Sequence, residues 1–259
     1  MRFKSEIRTI DEHELMDNTA RALGIGSLQI DIKPGKQSRL AFLTDPCGLA
    51  VERYKLLRRR LCALSPNGGL LLITSPDSGD GKTLTSLNLA YCLAEGGHRT
   101  CLVDLDFRSP GVCLSMEYEA EMDDVVEVLA ENSTISRAIR QIGDRPLYLL
   151  GIREGIESPA RQLDPAILGP FLKKLRDGFE WVILDIAPAI PMSDVAEVLP
   201  HVDGALMVVR TGKTKKSLVG PSLEILGTKL WGVVLNDSLI NGSAYYGYYV
   251  PTGKRKHKK

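Results

Sequence analysis

The sequence predicts an α/β fold, namely a doubly wound, mainly parallel sheet with helices on both faces. Several short apolar runs lack the alternation of a half-exposed strand, which indicates strands buried on both faces, as in parallel sheets. Segments with helical periodicity lie between these runs, and alternating β and α units favour a doubly wound sheet. A glycine-rich turn at residues 75–83 joins the first buried strand to a helix, which is typical of a phosphate-binding fold.

The predicted elements follow in chain order. Residues 1–45 show no sustained periodicity, so we expect a partly disordered N-terminal arm, whereas helical spacing begins at residues 49–64. The main domain is predicted over residues 46–240, and a flexible tail over 241–259, where apolar periodicity stops. Strands are predicted at residues 70–75, 100–106, 146–152, 180–186, 203–210 and 229–236. Helices are predicted at residues 83–97, 121–131, 133–141, 164–177, 193–199 and 213–226.

Composition limits the possible functions. The chain has 259 residues, a net charge of +1 and 44% hydrophobic residues, which suits one α/β domain with extensions. Near-neutral charge argues against extensive nucleic-acid binding, so we expect no nucleic-acid partner. The charged first fifteen residues lack a signal-peptide core, and no apolar stretch reaches the ~18–20 residues that span a bilayer. We therefore expect a cytoplasmic protein, for which any association with a membrane requires a partner.

The turn at residues 75–83 carries the strongest chemical signal. Backbone N–H groups of such a turn and the following helix N-terminus bind phosphate, and Gly79 and Gly81 permit close approach. Lys82 can reach the β- and γ-phosphates of a nucleotide, and the Thr83 hydroxyl can ligate Mg²⁺. Pro76 stands where the strict P-loop pattern has its first glycine. The predicted nucleotide-binding residues here are Ser78, Gly79, Asp80, Gly81, Lys82, Thr83 and Leu84.

Acidic residues end two of the predicted strands. Asp104 and Asp106 follow one apolar run, and Asp185 ends another. Ligands of open α/β sheets bind beyond the carboxyl ends of the strands, so these carboxylates are predicted to converge on the phosphate loop. We assign Thr83, Asp104 and Asp185 to Mg²⁺, with Asp106 contributing through water. Each aspartate taken alone could instead be a helix cap or a turn residue.

Three motifs together resemble those of the bacterial tyrosine kinases (BY-kinases), P-loop NTPases of capsule and exopolysaccharide biosynthesis that are related to MinD/ParA ATPases. TSPDSGDGKTLTSLNLA, VDLDFRSP and VILDIAPAIPMSDV resemble the Walker A, Walker A′ and Walker B motifs of that family. GVVLN resembles a segment whose asparagine, here Asn236, lies near the adenine in related ATPases. Glu52, Lys55 and Arg58 fall on the family's ExxRxxR oligomerisation pattern, with lysine in place of the first arginine.

The tail adds a further family feature, a C-terminal tyrosine cluster. Tyr245, Tyr246, Tyr248 and Tyr249 are half of the eight tyrosines of the chain, and the resemblance implies that they are phosphoacceptors. An aromatic-rich tail taken alone more often serves packing.

The resemblance implies a tyrosine-protein kinase, a transferase that uses ATP and Mg²⁺ and phosphorylates its own tail in trans. It assigns Lys82, Asp104, Asp106 and Asp185 to catalysis, with Asp104 as the base for the tyrosine hydroxyl. It also implies a homo-oligomer, a membrane-embedded polysaccharide co-polymerase as activator, and a cognate phosphotyrosine phosphatase.

Two alternatives stay open. One is a MinD/ParA-type ATPase that switches by dimerisation without phosphorylating protein. However, the early lysine of the KGGxGKT loop is absent, because Ser75 to Ser78 occupy that part of the loop. The other is a nucleotide-binding adaptor of a polysaccharide co-polymerase that transfers no phosphate.

Overall fold

The computed structural model describes residues 28–32, 35 and 38–238. Its elements alternate strands and helices along most of the chain. The strands are β1 Gln29–Ile30, β2 Gly69–Thr74, β3 Thr100–Asp104, β4 Arg140–Ile142, β5 Leu147–Leu150, β6 Trp181–Asp185, β7 Gly204–Arg210 and β8 Leu230–Asn236. The α-helices are α1 Ala41–Thr44, α2 Leu49–Leu64, α3 Lys82–Glu95, α4 Val112–Ser115, α5 Val125–Leu129, α6 Ile135–Ala138, α7 Pro165–Gly178, α8 Asp194–Val198 and α9 Lys216–Leu226. Short 3-10 turns cover Leu199–His201 and Gly227–Lys229.

The strands form one sheet with the order β1-β4-β5-β3-β6-β2-β7-β8. All neighbouring pairs are parallel except β4 and β5. That pair is antiparallel because a short turn joins the two strands, whereas parallel neighbours need a longer crossover. The doubly wound, mainly parallel fold class is therefore confirmed.

Two apolar layers cover the central strands. One includes side chains of α2 and α3, and the other includes side chains of α7, α8 and α9. The four apolar residues of β2 after Gly69 are at most 1% exposed, because successive side chains point to opposite, equally covered faces. This explains why the strand sequence is continuously apolar.

The N-terminal boundary differs from the prediction. Residues 28–32 and 38–45 were assigned to an arm, but β1 pairs with β4 and extends the sheet. Leu40 and Phe42 are 1% and 4% exposed, and the Phe42 ring lies 6.3 Å from that of Tyr54 on α2. The described part of this segment joins the domain because its apolar side chains cover one end of α2 and α3.

Other differences concern short elements. The helix predicted at residues 133–141 ends at Ala138, and Arg140–Ile142 forms β4 instead. No bounds are predicted for helices α1 and α4, since four residues are too few to show a period. The predicted tail, including its four tyrosines, lies outside the described residues. Within the described ranges, no helix combines the length and apolar character needed to cross a membrane.

Candidate nucleotide-binding site

The phosphate loop has the backbone that its glycines permit. Gly79 and Gly81 have φ angles of 78° and 98°, in the left-handed region that favours glycine. A Cβ on Gly81 would also collide with the side-chain amide of Asn236. Helix α3 begins directly afterwards at Lys82. The N-terminal N–H groups of this helix and the preceding turn therefore form the kind of anion-binding concavity expected of a phosphate loop.

Lys82 is the central cation of the site. Its Nζ lies 2.6 Å from Asp106 Oδ2 and 3.7 Å from Asp185 Oδ2, and its side chain is 11% exposed. Burial acts to lower the pKa of Lys82, but the carboxylates of Asp185 and Asp106 outweigh it and raise the pKa. The lysine is therefore held protonated. Of the three aspartates predicted to converge on the phosphate loop, Asp106 and Asp185 lie within ion-pair distance of Lys82.

Asp185 links the strand end to the first turn of α3. Its Oδ2 accepts a hydrogen bond of 2.7 Å from Thr83 Oγ1, and its Oδ1 accepts one of 3.0 Å from Ser86 Oγ. Asp185 is fully buried; burial raises its pKa, while the Lys82 charge and the two hydroxyl donors oppose that shift. Ser86 is not among the predicted site residues, although it lies one turn after Lys82 and therefore on the same face of the helix.

Asp104 lies opposite Asp185 on the neighbouring strand. Its Oδ1 accepts from the backbone N–H of Asp106 at 3.0 Å, and its Oδ2 accepts from those of Gly111 and Val112 at 3.1 Å each. Complete burial is the largest cause that raises its pKa to about 7, and the Asp185 charge adds to it. Asp104 thus shapes the segment after β3, while Asp106 contacts Lys82.

A polar network ties the phosphate loop to β7 and β8. Asp80 Oδ1 accepts from Thr214 Oγ1 at 2.7 Å, and Asp80 O accepts from Asn236 Nδ2 at 2.9 Å. Arg210 donates to Gly79 O at 3.3 Å and forms an ion pair with Asp237 at 3.0 Å. Asn236 was predicted near the adenine, and the contact observed is with the loop backbone. Thr214 and Arg210 are not among the predicted site residues, because only tertiary packing brings the end of β7 and the loop after it to the phosphate loop.

A cavity of about 700 Å³ opens beside the loop. Of the predicted nucleotide-binding residues, Gly79, Gly81, Leu84 and Asn236 line it. The remaining lining comes from Ser38, Arg39, Leu114, Ser115, Glu117, Arg210 and Asp237. This volume lies within the range typical of small-molecule sites.

The residues at this end of the sheet fit Mg²⁺ bound together with a nucleotide. Among the described residues, no three His, Cys, Asp or Glu side chains form a metal-binding cluster. Mg²⁺ does not need one, since it commonly uses one or two carboxylates together with substrate phosphates and water. Thr83 and Asp185, 2.7 Å apart, offer a hydroxyl and a carboxylate for that purpose. Asp104 is less available, because both of its oxygens accept backbone N–H groups.

The predicted oligomerisation residues lie on α2. Glu52 and Lys55 form an exposed ion pair of 2.8 Å. Arg58 donates to the carbonyl oxygen of Cys92 at 2.6 Å, near the C-terminal end of α3. A cation at a helix C-terminus is stabilising. Arg58 therefore links α2 to α3 within the chain.

Comparison with known proteins agrees with this geometry. The model of a family described as the CobQ/CobB/MinD/ParA nucleotide binding domain matches residues 71–240. Tyrosine-protein kinase YwqD of Bacillus subtilis (strain 168) is 28% identical over 219 residues, covering 82% of this chain and 92% of the relative. Tyrosine-protein kinase CpsD of Streptococcus pneumoniae is 26% identical over 224 residues, covering 85% and 97% respectively.

Solved structures extend the comparison to the fold. The kinase domain of Escherichia coli tyrosine kinase ETK superposes with a TM-score of 0.71 at 23% identity, covering 88% of this chain and 94% of that one. At this identity the likeness shows the fold alone. The relatives' names confirm the resemblance to bacterial tyrosine kinases drawn from the motifs.

Proposed function

The chain belongs to the CobQ/CobB/MinD/ParA nucleotide-binding domain family, and from that premise we propose that it is an ATP-dependent protein-tyrosine autokinase. It regulates exopolysaccharide or capsule synthesis and export by phosphorylating its own C-terminal tyrosines in trans. One observation carries the proposal: Lys82 of the phosphate loop lies within 2.6 Å of Asp106 and 3.7 Å of Asp185. The names of the similar kinases supply the choice of protein tyrosine as acceptor.

Phosphoryl transfer depends mainly on positioning and on neutralising charge. The loop N–H groups from Gly79 onward hold the phosphates of ATP, and the Lys82 ammonium neutralises charge on the transferred group. Thr83 and Asp185 would hold Mg²⁺, which would supply further positive charge for the transfer. Asp106 orients Lys82 through their 2.6 Å contact.

Asp104 is the proposed base for the tyrosine hydroxyl. A phenol has a pKa near ~10, so its proton leaves as the bond to phosphorus forms. A carboxylate within hydrogen-bond reach of the hydroxyl can accept that proton. Because Asp104 is 0% exposed, this role requires the segment that covers it, residues 105–112, to move when the acceptor tail enters.

The proposal includes specific partners. The acceptors are Tyr245, Tyr246, Tyr248 and Tyr249 of a neighbouring copy, so the active form is a homo-oligomer whose contacts involve Glu52, Lys55 and Arg58. A membrane-embedded polysaccharide co-polymerase activates the kinase and places it, still cytoplasmic, at the inner face of the cell membrane. A phosphotyrosine phosphatase reverses the reaction. Each phosphate adds roughly −1.5 to −2 charges, which favours release of the tail.

Mass spectrometry of the C-terminal peptide tests the activity. The full chain and its Lys82→Met variant are expressed with the partner and incubated with ATP and Mg²⁺. Phosphotyrosine at residues 245–249 is expected in the wild type and not in the variant. Lys173→Met, at an exposed position of α7, is the matched control and should keep wild-type phosphorylation. Absence of phosphotyrosine from the wild type would overturn the kinase proposal.

The family match itself favours a second candidate, a MinD/ParA-type ATPase switch that transfers phosphate only to water. ATP hydrolysis without phosphotyrosine, together with ATP-dependent dimerisation, would support that switch. Nucleotide binding without any turnover would instead support a non-catalytic adaptor of the co-polymerase.

A further inference from the structure

A second group of ionisable side chains lies at the opposite, amino-terminal end of the strands. Cys62 is on the last turns of α2, His98 lies between α3 and β3, and Glu180 directly precedes β6. The first residues of β3 and β6, Thr100 and Trp181, are paired in the sheet. The backbone N–H of Glu180 also donates to Arg99 O at 3.0 Å. The two loops are therefore held side by side by the sheet itself.

The three side chains form a chain of contacts through one imidazole. His98 Nε2 lies 3.6 Å from Cys62 Sγ, and His98 Nδ1 lies 2.6 Å from Glu180 Oε1. With Nδ1–H donating to the carboxylate, Nε2 is left as an acceptor facing the thiol. Nucleophile, base and orienting carboxylate in this order are the arrangement by which proteins activate a thiol.

The group is partly open to solvent. The side chains of His98 and Glu180 are 26% and 23% exposed, and Cys62 is half-buried. Burial is the main cause that raises the pKa of Cys62; the Glu180 carboxylate adds to it and Arg58 opposes it. The thiol is therefore protonated at rest and needs a base to react. A thiol with a raised pKa is also a stronger nucleophile once deprotonated.

We propose that Cys62 is a thiol-modification site that reacts with low-molecular-weight disulfides, with His98 as general base and Glu180 as a positioning residue. His98 Nε2 takes the proton of the Cys62 thiol, and the thiolate attacks one sulfur of the disulfide. The reagent's S–S bond breaks as a Cys62 mixed disulfide forms, and the released thiolate takes the proton from His98. Cys62 is oxidised and the departing half of the reagent is reduced.

The other described cysteines provide a contrast. Cys92, Cys101 and Cys113 are buried, and Cys47 is exposed. Burial keeps a disulfide reagent away from the three buried thiols, and it raises the pKa of Cys92 to about 11 and that of Cys113 to about 12, so none of them is expected to exchange. Cys47 serves as the internal comparator for simple exposure.

The experiment measures thiol–disulfide exchange on the folded full chain. Glutathione disulfide is the probe, and peptide mapping by mass spectrometry follows mixed-disulfide formation at Cys62 and Cys47 separately. His98→Gln is expected to slow exchange at Cys62 by about tenfold or more while leaving Cys47 within about twofold. Equal rates of exchange at Cys62 in the wild type and His98→Gln would overturn the proposal. The contact between Cys62 and His98 would then be one of packing only.

A second variant distinguishes positioning from structure. Glu180→Gln keeps the shape of the side chain and should slow Cys62 exchange by about threefold, less than loss of the base. It should also move the pH dependence of Cys62 exchange, because the Glu180 carboxylate that helps to raise the pKa of the Cys62 thiol is gone. The other ionisable groups around the thiol, Arg58 on α2 and Cys92 on α3, are unchanged.

Circular dichroism and nucleotide binding check that each variant is folded. If His98→Gln does not fold, the test is the pH dependence of the rate of Cys62 exchange, compared between Glu180→Gln and the wild type. An unchanged profile would overturn the proposal. These measurements do not depend on kinase activity, so they are independent of the proposed function.

Discussion

The two ends of strands β3 and β6 hold ionisable groups in contrasting surroundings. At the carboxyl end, Asp104 and Asp185 are fully buried and lie close to a lysine that is 11% exposed. At the amino end, His98 and Glu180 keep about a quarter of their side chains in solvent. The same pair of strands thus supports one closed, highly charged site and one open one.

The contrast shows how burial changes the chemistry of similar groups. Burial raises the pKa of Asp104 to about 7, because a carboxylate without solvent loses its hydration and keeps only the partners that the fold provides. The contact between His98 and Glu180 is partly exposed, so it retains solvent screening and adds little to stability. Substitutions at the carboxyl end of the strands should therefore have large effects on activity and stability, and substitutions elsewhere should have smaller effects.

The largest effect is expected for Asp185→Asn. The variant loses a carboxylate that accepts from Thr83 and Ser86 and faces Lys82, so phosphoryl transfer should fall by about a hundredfold or more. Phosphotyrosine formation in a timed assay measures it. Asp177→Asn, on the exposed side of α7, should retain wild-type activity. Thiol exchange at Cys62 should be the same in both variants, and a parallel loss would show that the two ends are coupled.

The next effect is a pH dependence of stability. The pKa of Asp104 is about 7 in the folded state, against 3.8 for an ordinary aspartate, so between those values the folded state holds a proton that the unfolded state has lost. Its contribution is fully present below about pH 4 and is lost as pH rises through about 7, with a slope of up to about 1.4 kcal/mol per pH unit. Urea unfolding of the nucleotide-free chain at several pH values measures it.

Asp104→Asn provides the matched comparison for that slope. The variant lacks the titrating group, so its unfolding free energy should change less steeply between pH 4 and 7 than that of the wild type. Its lower absolute stability, from the altered contacts to Gly111 and Val112, does not affect the slope. Identical slopes in the two proteins would mean that Asp104 is ionised throughout.

A smaller effect is expected where the loop after β7 supports the phosphate loop. Thr214→Val removes the hydroxyl that donates to Asp80 at 2.7 Å, and a lost hydrogen bond of about 1 kcal/mol corresponds to roughly fivefold weaker nucleotide binding. Thr214→Ser keeps the hydroxyl and should bind as the wild type does. Calorimetric titration with a non-hydrolysable ATP analogue measures both. Equal nucleotide affinities of the valine and serine variants would show that the hydrogen bond from Thr214 to Asp80 does not contribute to nucleotide binding.

The smallest effect on folding is expected for Lys55→Met. Its ion pair with Glu52 is exposed, so the free energy of unfolding should fall by about 0.5 kcal/mol or less. Arg58→Met should cost more, because Arg58 binds the Cys92 carbonyl at the end of α3. Sizing by light scattering then tests the oligomer separately. If Lys55→Met leaves the oligomer size unchanged, Lys55 is not part of the proposed contact between subunits.

From the sequence alone one can predict the fold class, the phosphate loop and the strand-end aspartates. It could do so because these features are local: apolar runs mark buried strands, and parallel strands bring their carboxyl ends to one edge. Lys82, Thr83 and Asp185 could therefore be grouped without coordinates. The long helices α2, α3 and α7 were predicted for the same reason, since each shows several periods of spacing.

Tertiary structure alone decided which groups touch. From the sequence, Asp104 is expected to act as metal ligand and base and Asp106 to contribute through water. In the structure, the segment after β3 folds back so that Asp104 accepts backbone N–H groups while Asp106 contacts Lys82. Thr214 reaches Asp80 across 134 positions, and Cys62 reaches His98 across 36. No local pattern records such contacts, because they depend on how separate loops pack around the sheet.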